Sequence, residues 1–346
     1  MPTKSFFETK DYLCGEKMER TVVMQTKEEL SQIIEKYLSQ TSFPDEPERL
    51  YAPILYSLQQ GGKRLRPLLV MLACNIFSDE TAPALPCAAA VEVFHNFTLL
   101  HDDIMDNAPM RRGKPSVYKK WNQNVAILSG DAMMIYSYML LNQAPAGLVP
   151  QILERFNRMA MQVCEGQQYD MDFENRDDVP IEEYMKMIEL KTSVLLAASA
   201  EIGAIIGGAS EEDCRKLYRF AIELGLAFQV QDDLLDSYGD SSFGKPIGGD
   251  IVEGKKTFLM INALSKATAQ ERAELRSLPG DAAVSREEKI RRVKAIYERC
   301  GVKTMAENQV KRYMARAEEI LDSLSVAPER LTEMKSLVAG LLGRNK

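Results

Sequence analysis

This sequence has few of the residues that build metal centres from nitrogen or sulfur ligands. It contains two histidines, and its six cysteines are widely scattered without a CxxC pair. Zinc sites use closely spaced Cys or His pairs, and disulfide frameworks are typical of short, cysteine-dense secreted chains, so the pattern favours reduced cysteines over either. Glu92 and His95 form half of the ExxH pattern of di-iron bundles. The other half is missing, because Thr98 stands three residues before His101.

A basic excess, a long apolar run and an apolar leader are also lacking. The formal net charge is -7 and the pI is about 5.3, whereas a nucleic-acid binder normally shows a basic face. No uninterrupted apolar stretch approaches the ~20 residues that span a bilayer, and the first residues are not typical of a signal peptide. We therefore expect a cytoplasmic protein with reduced cysteines, no membrane span and no nucleic-acid partner.

Strand-like alternation is absent, which excludes a Rossmann or other βαβ fold. Helical periodicity is present instead, and we predict an all-α protein. It begins at Thr26, which forms a capping box with Glu29. Residues 1–24 are weakly patterned and are predicted to be an N-terminal extension. Residues 272–346 read as three or four amphipathic helices of a packing scaffold.

Two acidic clusters end apolar helical runs. Asp102-Asp103-Ile104-Met105-Asp106 closes the first run, and Asp232-Asp233-Leu234-Leu235-Asp236 closes the second. The outer aspartates of each cluster are four residues apart and share one face of a helix, where they repel unless a cation lies between them. A solvated helix end is the usual explanation of one such cluster. Two copies are better explained by a shared site for Mg²⁺ and a diphosphate, since Mg²⁺ binds carboxylates together with substrate phosphates.

Basic residues cluster near glycines, which favours anion binding over plain solvated surface. Gly61-Gly62-Lys63-Arg64-Leu65-Arg66-Pro67 precedes an apolar helix, whose N-terminus attracts anions. Arg111 and Arg112 follow the first acidic cluster in a loop punctuated by Pro and Gly. Positive charges at both places would have a partner in a diphosphate.

Two further segments carry isolated lysines. The apolar helical pattern over 182–208 is interrupted at Lys191-Thr192-Ser193, where Thr and Ser predict a bend. A lysine there is expensive to bury unless it is paired. The glycine-rich stretch 239–250 carries Lys245 and precedes a helix near Lys255. Such a stretch is typical of a flap that covers a phosphate and excludes water.

The order of these motifs resembles that of the trans-isoprenyl diphosphate synthases, also called polyprenyl synthetases, over about residues 27–340. The segments that carry the resemblance are GGKRLRP, LLHDDIMDNAPMRRGKPS, KTS, FQVQDDLLD and GKPIGGDIVEGKK. The resemblance implies one helical bundle, residues 25–346, with a central hydrophobic cavity, usually in a homodimer. It also implies Mg²⁺-dependent, head-to-tail, trans condensation of isopentenyl diphosphate with an allylic diphosphate (dimethylallyl, geranyl or farnesyl).

The resemblance also assigns roles to particular residues. Three Mg²⁺ ions would be ligated by Asp102, Asp106 and Asp232, with support from Asp103 and Asp236. The allylic diphosphate would be held by Arg111, Lys191, Thr192, Gln229, Lys245 and Lys255. Isopentenyl diphosphate would be held by Gly62, Lys63, Arg66, His95 and Arg112. The residues expected to act in catalysis are Asp102, Asp106, Asp232, Lys191 and Arg111.

Residues just before the first acidic cluster form the floor of the hydrocarbon pocket in the family, and here they are Phe97 and Thr98. Phe94 lies one turn deeper, about 5 Å along the helix axis. A phenylalanine near the floor implies a short product, C15 or C20, and we expect Phe97 to limit its length. The DDIMD cluster lacks the two-residue insertion of many bacterial farnesyl synthases, which argues against C15 and leaves C20 open.

Other classes share part of this pattern. A class I terpene cyclase uses a DDxxD cluster but binds one diphosphate, so it has no use for GGKRLRP or His95, and its second metal motif is of the NSE/DTE type. A catalytically dead subunit would have lost some of the aspartates or basic residues. A plain helical scaffold leaves the five ordered motifs unexplained. A longer-chain polyprenyl diphosphate synthase remains the alternative within the family.

Overall fold

The first helices begin at a capping box and after the glycine turn, the segment Gly61-Gly62-Lys63-Arg64. The computed structural model describes residues 24–174, 176–239 and 247–342. Helix α1 begins at the predicted capping box, in which Thr26 and Glu29 each accept the other's backbone N–H. The helices up to the first acidic cluster are α1 (Lys27–Ser39), α2 (Glu48–Leu58), α3 (Leu65–Phe77) and α4 (Leu85–Met105).

The all-α prediction is confirmed over the described residues. The helices up to the second acidic cluster are α5 (Val117–Lys120), α6 (Gln123–Leu141), α7 (Val149–Glu174), α8 (Ile181–Ile188), α9 (Val194–Ile206) and α10 (Glu211–Tyr238). The remaining ones are α11 (Gly249–Glu253), α12 (Phe258–Lys266), α13 (Ala269–Ser277), α14 (Arg286–Cys300), α15 (Val302–Asp322) and α16 (Thr332–Leu342). The predicted scaffold of three or four helices after 272 is therefore present, while most of the 1–24 extension lies outside the described residues.

One small hairpin replaces the plain loop predicted after the first acidic cluster. Strands β1 (Met110–Arg111) and β2 (Lys114–Pro115) pair antiparallel. Arg112 and Gly113 between them have φ of 51° and 74°, as in the two-residue turns that connect tight hairpins. Strands of two residues are too short to produce a visible alternation of polar and apolar positions, which is why the sequence did not indicate them.

Helix α9 forms the centre of the bundle. It contacts α3, α4, α7 and α10, and its residues from Val194 to Ile205 are all buried. A helix that is apolar on every side is stable only when neighbours cover it completely. α4 and α10 carry the two acidic clusters, and both pack on α9, so the clusters are borne by helices anchored on the buried centre of the bundle.

A π-helical segment, Glu189–Ser193, joins α8 to α9. The predicted interruption at Lys191-Thr192-Ser193 is therefore real. Two glycines of neighbouring helices make room for it: a Cβ on Gly166 of α7 would lie 2.3 Å from the Lys191 backbone nitrogen, and one on Gly225 of α10 would lie 2.6 Å from Ser193 Oγ. Single-turn π segments are frequent at functional sites.

By length and composition alone, one described helix could cross a membrane. This helix is α6, whose most apolar window has a mean hydropathy of 1.2 and is 39% buried. α6 packs along α4 and α2 on one side and exposes apolar side chains on the other. The absence of a membrane span stays a prediction.

Candidate active site

The first acidic cluster lies at the carboxyl end of α4, and Asp106 is the C-cap residue. Negative side chains are unfavourable there, because the helix dipole already places partial negative charge at this end. Asp103 is buried, and its Oδ1 accepts hydrogen bonds from Arg111 Nε at 2.8 Å and Nη2 at 2.7 Å. Burial, opposed by Arg111, raises the pKa of Asp103. Asp103 thus anchors the hairpin, while Asp102 and Asp106 lie on the neighbouring face.

Lys191 brings the π segment to this cluster. Its Nζ lies 3.3 Å from Asp102 Oδ1 and 2.5 Å from Asp170 Oδ2 of α7. Burial alone would lower the pKa of Lys191, but Asp102 and Asp170 outweigh it and raise the pKa. Asp106 has its pKa raised by burial and by Asp102. The carboxylates at this helix end are therefore crowded and only partly neutralised.

In the second cluster, on α10, the middle aspartate again has a structural role. Asp233 is buried, and its Oδ2 accepts hydrogen bonds from Tyr184 Oη at 2.6 Å and from the Phe258 backbone nitrogen at 2.8 Å. Burial raises its pKa to about 6. These bonds tie α10 to α8 and α12, and they leave Asp232 exposed.

Asp236 and Asp250 face each other beside the second cluster. Asp236 Oδ2 accepts a hydrogen bond from the Asp250 backbone nitrogen at 3.1 Å. Burial, followed by Asp236 and Asp233, raises the pKa of Asp250 to about 7. Lys255 pairs with Glu253 at 3.2 Å. Burial would lower its pKa, but the charges of Glu253, Asp250 and Asp106 outweigh burial and raise it. Asp250, beside the second cluster, and Asp106, of the first, thus both act electrostatically on one lysine.

Thr192 and Gln229 connect the π segment to the second cluster. Thr192 Oγ1 donates to Gln229 Oε1 at 3.4 Å, and Gln229 Nε2 donates to Asp233 Oδ1 at 3.3 Å. The predicted allylic-diphosphate residues of the π segment and of α10 thus lie in one network. Lys245, another predicted ligand in the expected flap, lies outside the described residues.

The glycine turn contacts the β1–β2 hairpin on the other side of the first cluster. Arg112 Nη1 donates to the Gly61 carbonyl oxygen. A Cβ on Gly62 would lie 2.9 Å from Arg112 Cζ, and Gly62 itself has a φ of 135°. Glycine is required here both for its conformation and for the close approach of the guanidinium. The two segments that sequence analysis assigned to isopentenyl diphosphate are in contact.

Arg66 and His95 hydrogen-bond to each other, at 3.1 Å between Nη1 and Nε2. Since arginine only donates, His95 Nε2 accepts and the ring proton belongs on Nδ1. Burial lowers the pKa of Arg66 to about 10, and burial together with Arg66 and Arg112 lowers the pKa of His95 well below its usual value. Arg66 Nε is buried and donates to no acceptor. This set of donors suits an anion.

We name two regions of the site by their charge. The acidic half consists of Asp102, Asp106, Asp232, Asp236, Asp250, Lys191 and Lys255. The basic half consists of Lys63, Arg66, His95 and Arg112. Arg111 joins them, because it contacts Asp102 at 3.5 Å and Asp103 and adds to the positive potential at His95.

The donor set of the acidic half fits Mg²⁺ bound together with a diphosphate. Asp102 Oδ1 is buried and has no partner in hydrogen-bond geometry, although Lys191 Nζ lies 3.3 Å away. Within the described ranges, no three His, Cys, Asp or Glu side chains are close enough to hold a metal by themselves. Mg²⁺ binds one or two carboxylates and takes its other ligands from water and phosphate oxygens. The arrangement is therefore compatible with ions that arrive with their substrate.

Aromatic side chains surround the residues predicted to set chain length. Phe94 is 1% exposed and makes edge-to-face contacts with Phe97, at 5.3 Å between ring centroids, and with Phe156, at 5.0 Å. Phe97 is only partly buried and also contacts His101 at 4.9 Å. Thr98 is partly buried and donates to the His95 carbonyl oxygen. Phe97 is thus backed by the buried ring of Phe94, which in turn packs on the buried ring of Phe156.

Some site residues were missed at the level of sequence. Asp170 belongs to a polar run, Gln167-Gln168-Tyr169-Asp170, inside a helix that we interpreted as core, and this run was an available signal. Asp250 follows Gly248-Gly249 at the end of the expected flap, where sequence analysis assigned a role only to Lys245. Gly166 carries no chemistry of its own, and only the packing of α7 on the π segment reveals its role.

Comparison with known proteins agrees with this geometry. The family model described as polyprenyl synthetase matches residues 47–299. A geranylgeranyl diphosphate synthase of Methanosarcina mazei is 39% identical over 287 residues, which cover 82% of this chain and 86% of that protein. A geranylfarnesyl diphosphate synthase of Natronomonas pharaonis is 40% identical over 254 residues, 68% of this chain and 74% of that protein.

Solved structures show the same fold. A crystal structure of a geranylgeranyl pyrophosphate synthase has a TM-score of 0.88 and 42% sequence identity, and the alignment covers 93% of this chain and all of that one. The corresponding synthetase from Pyrococcus horikoshii has a TM-score of 0.85 and 31% identity, over 91% of this chain and 96% of that one. The chain belongs to the polyprenyl synthetase family.

Proposed function

We propose that this prenyltransferase condenses isopentenyl diphosphate with an allylic diphosphate, head to tail and trans, to make a C20 prenyl diphosphate. The observation that carries the proposal is the presence of an acidic half and a separate basic half in one site. Two diphosphates have to be held at once for chain elongation. A cyclase, which binds one, has no use for the basic half. The geranylgeranyl diphosphate synthases among the relatives support the product size.

The acidic half holds the allylic diphosphate with Mg²⁺. Asp102, Asp106 and Asp232 are the proposed ligands of three ions, and Asp103 and Asp236 support them. When bound, the ions supply stabilisation of the negative charge that develops on the departing diphosphate. The cationic and hydrogen-bonding groups around the same diphosphate are Arg111, Lys191, Thr192, Gln229, Lys245 and Lys255.

The basic half holds isopentenyl diphosphate without a metal. Lys63, Arg66 and Arg112 supply positive charge, and Gly62 lets the turn approach the ligand closely. His95 stays neutral because its pKa is lowered by burial and by the arginines around it. It therefore offers one Nδ1–H donor, while its Nε2 orients Arg66.

The reaction follows from placing both substrates. The C–O bond of the allylic diphosphate breaks, and both electrons leave with the diphosphate. The double bond of isopentenyl diphosphate then attacks the allylic cation, which forms the new C–C bond. A proton leaves the adjacent carbon, and the released diphosphate accepts it. Lys191 and Arg111 stabilise that diphosphate, and no protein nucleophile is needed.

Phe97 is the proposed limit on product length. It lies five residues before Asp102, which is about 7.5 Å along α4. Phe94 packs behind it and is itself held by Phe156, so the ring cannot easily move deeper. The prediction is that Phe97→Ala lengthens the main product beyond that of the wild type, and that Phe97→Leu lengthens it less. Chromatography of dephosphorylated products measures this, and an unchanged distribution in Phe97→Ala would refute the role of Phe97.

The proposal includes a homodimer. Helix α6 exposes Leu128 and Ile135, which are 60% and 59% accessible, together with Ile127 and Met134 on the same face. Tyr138 of α6 bonds to Asn157 of α7, and Met161, one turn further along α7, is 62% accessible. An apolar stripe of this size marks an association surface, and a second copy would cover it.

A cytoplasmic location is proposed as well. The cysteines of the described ranges are unpaired, and burial raises the pKa of Cys74 and Cys87 to about 12. Buried, unreactive thiols of this kind are expected in a reducing compartment.

A product assay tests the function. The purified protein is incubated with Mg²⁺, labelled isopentenyl diphosphate and, separately, the C5, C10 and C15 allylic primers. Growth of labelled chains to C20 supports the proposal, and accumulation of C25 or longer chains assigns the protein to the longer-chain alternative. If no chain grows and an allylic diphosphate becomes a hydrocarbon, the elongase proposal is wrong and the cyclase alternative is correct.

A further inference from the structure

The glycine turn contains a third basic residue, Arg64, to which no role in binding has been assigned. Lys63 before it is exposed, and Arg66 after it bonds to His95. Arg64 itself is 8% exposed, and its guanidinium is turned into the protein. A buried arginine in a turn that presents other basic residues requires an explanation, because burying a charge is costly unless it is fully paired.

Arg64 is anchored at three points on three helices. Its Nη1 donates to Glu92 Oε1 of α4 at 2.6 Å, and its Nε donates to Glu35 Oε1 of α1 at 3.1 Å. Its Nη2 donates to the carbonyl oxygen of Leu58, the last residue of α2, at 2.5 Å. The planar fork of the guanidinium can satisfy three fixed acceptors at once, which the point charge of lysine cannot do.

The network continues behind Glu92. Glu92 Oε1 also accepts from Asn96 Nδ2 at 3.0 Å, and Asn96 Oδ1 accepts from Ser57 Oγ at 3.2 Å. All of these side chains except Glu35 are buried. A buried polar network whose members are satisfied holds one geometry rigidly. Asn96 is also the residue after His95, so the same turn of α4 supports both the network and the basic half.

The network holds the backbone of Arg64 in a conformation that few residues adopt. Its φ is 45°, in the left-handed region, and it is the N-cap residue of α3. Residues other than glycine avoid this region, and they remain there only when their surroundings hold them. Arg64 lies one residue after Lys63 and two before Arg66, so its backbone conformation sets the direction from which both side chains leave the turn.

We propose that Arg64 is the positioning residue of the basic half. Through Glu92, Glu35 and the Leu58 carbonyl it holds the left-handed turn, and it thereby places Lys63 and Arg66 around the diphosphate. Arg64 does not touch the substrate. This inference rests on the proposed function, since it takes isopentenyl diphosphate as the occupant of the basic half.

Two variants separate the anchoring of the side chain from other effects. Arg64→Gly accepts a positive φ without strain but has no anchors. The double variant Arg64→Met/Glu92→Gln removes the ion pair without leaving a buried carboxylate unpaired, which single removal of Arg64 would do. Arg330→Met is the matched control, because Arg330 bonds to the Asn75 carbonyl near the other end of α3 and pairs with Asp79 at 2.6 Å.

Binding is measured by isothermal titration calorimetry with isopentenyl diphosphate alone, so that no turnover is required. Far-UV circular dichroism and thermal unfolding identify the variants that fold. We expect Kd to rise at least ~10-fold in both Arg64 variants, since small displacements of binding groups have large effects. Arg330→Met is expected to stay within ~2-fold of the wild type. In turnover assays, KM for isopentenyl diphosphate should rise while KM for geranyl diphosphate stays the same.

A folded Arg64→Gly with wild-type affinity would show that the backbone conformation alone suffices, and the inference would be wrong. The inference also fails if the melting temperature falls but Kd does not change, because the role of Arg64 would then be structural only. If Arg64→Gly does not fold, the double variant provides the same comparison. A wild-type protein that binds isopentenyl diphosphate but extends no primer contradicts the proposed function, while the binding series still decides the role of Arg64.

Discussion

The basic and acidic halves of the site contrast in how their charges are satisfied. In the basic half, Arg66 and His95 bond to each other rather than to a carboxylate, and both have lowered pKa values because burial disfavours their charged forms. In the acidic half, five aspartates face two lysines, and the pKa values of Asp106 and Asp250 are raised. The first half can accept an anion directly, whereas the second needs cations before an anion can bind.

Arg111 explains how such different regions work side by side. It bonds to Asp103, and it lies within reach of Asp102. It therefore places one positive charge between the acidic half and the basic half, paired with the first cluster and still felt at His95. The proposed function therefore requires metal for ligand binding in the acidic half and none in the basic half.

The largest effect is expected from removing an outer aspartate. Asp102→Ala should lower kcat/KM by about 1,000-fold or more, because the acidic half then loses a carboxylate that holds cations at the leaving group. Steady-state kinetics measures this, and Asp172→Ala, an exposed aspartate of α7, is the matched control. Activity within tenfold of the wild type in Asp102→Ala would contradict the assignment of this cluster.

Chelation of the metal should affect the halves unequally. With EDTA, the affinity for a non-reactive allylic diphosphate analogue is expected to fall by about 100-fold, since carboxylates and a diphosphate then repel each other. The affinity for isopentenyl diphosphate should change less than ~3-fold. Calorimetric titrations with and without EDTA provide the test. Equal losses for both ligands would mean that the two halves do not act separately.

Two glycines allow one half to be disturbed at a time. Gly166→Ala places a Cβ 2.3 Å from the Lys191 backbone, and Gly62→Ala places one 2.9 Å from the Arg112 guanidinium. We expect Gly166→Ala to lower kcat about tenfold, and Gly62→Ala to raise KM for isopentenyl diphosphate about tenfold. Gly340→Ala, at an exposed position of α16 with nothing near the added Cβ, should leave these kinetic constants unchanged. Steady-state kinetics with each substrate varied in turn measures both constants. A raised KM in Gly166→Ala or a lowered kcat in Gly62→Ala would contradict the separation of the two halves.

The smallest effect concerns pH. The pKa of His95 in the folded protein lies below the value of 6.5 in the unfolded chain. Below pH 6.5 the imidazole is therefore protonated in the unfolded state while it stays neutral in the folded state. The contribution of His95 to the free energy of unfolding should therefore fall as the pH drops below 6.5, by at most ~1.4 kcal/mol per pH unit. Asp233 and Asp250 contribute in the opposite direction, because their raised pKa values of about 6 and about 7 let the folded state bind protons before the unfolded state does. Denaturant unfolding of the wild type and of His95→Gln between pH 7 and pH 5 isolates the contribution of His95, and the wild type should lose more stability, or gain less, than the variant as the pH falls. Identical slopes would contradict this account.

Sequence patterns predict the features that depend on neighbours along the chain. Thr26 and Glu29 are three residues apart, and their capping box is present as expected. The end of α4 at the first acidic cluster and the interruption at Lys191 follow in the same way from local periodicity. These features are confirmed because local hydrogen bonds and side-chain spacing decide them.

Features that depend on packing between distant segments could not be read from the sequence. The interruption at Lys191 takes the form of a π segment where Gly166 and Gly225 let two other helices approach. Arg64 looked like one more basic residue of an anion site until the structure placed Glu92 and Glu35 against it. In the sequence, Asp103 and Asp233 cannot be distinguished from the outer aspartates of their clusters. In the structure each is buried and hydrogen-bonded to another segment.

The position of the first acidic cluster at the carboxyl end of α4 affects the durability of the whole protein. Charges that repel one another and the helix dipole lower the stability of the protein without its ligands. A ligand that binds only the folded state adds about 2.7 kcal/mol when its concentration is 100 times its Kd. A cation that pairs with these carboxylates in the folded state would therefore raise the resistance of the protein to heat and proteolysis.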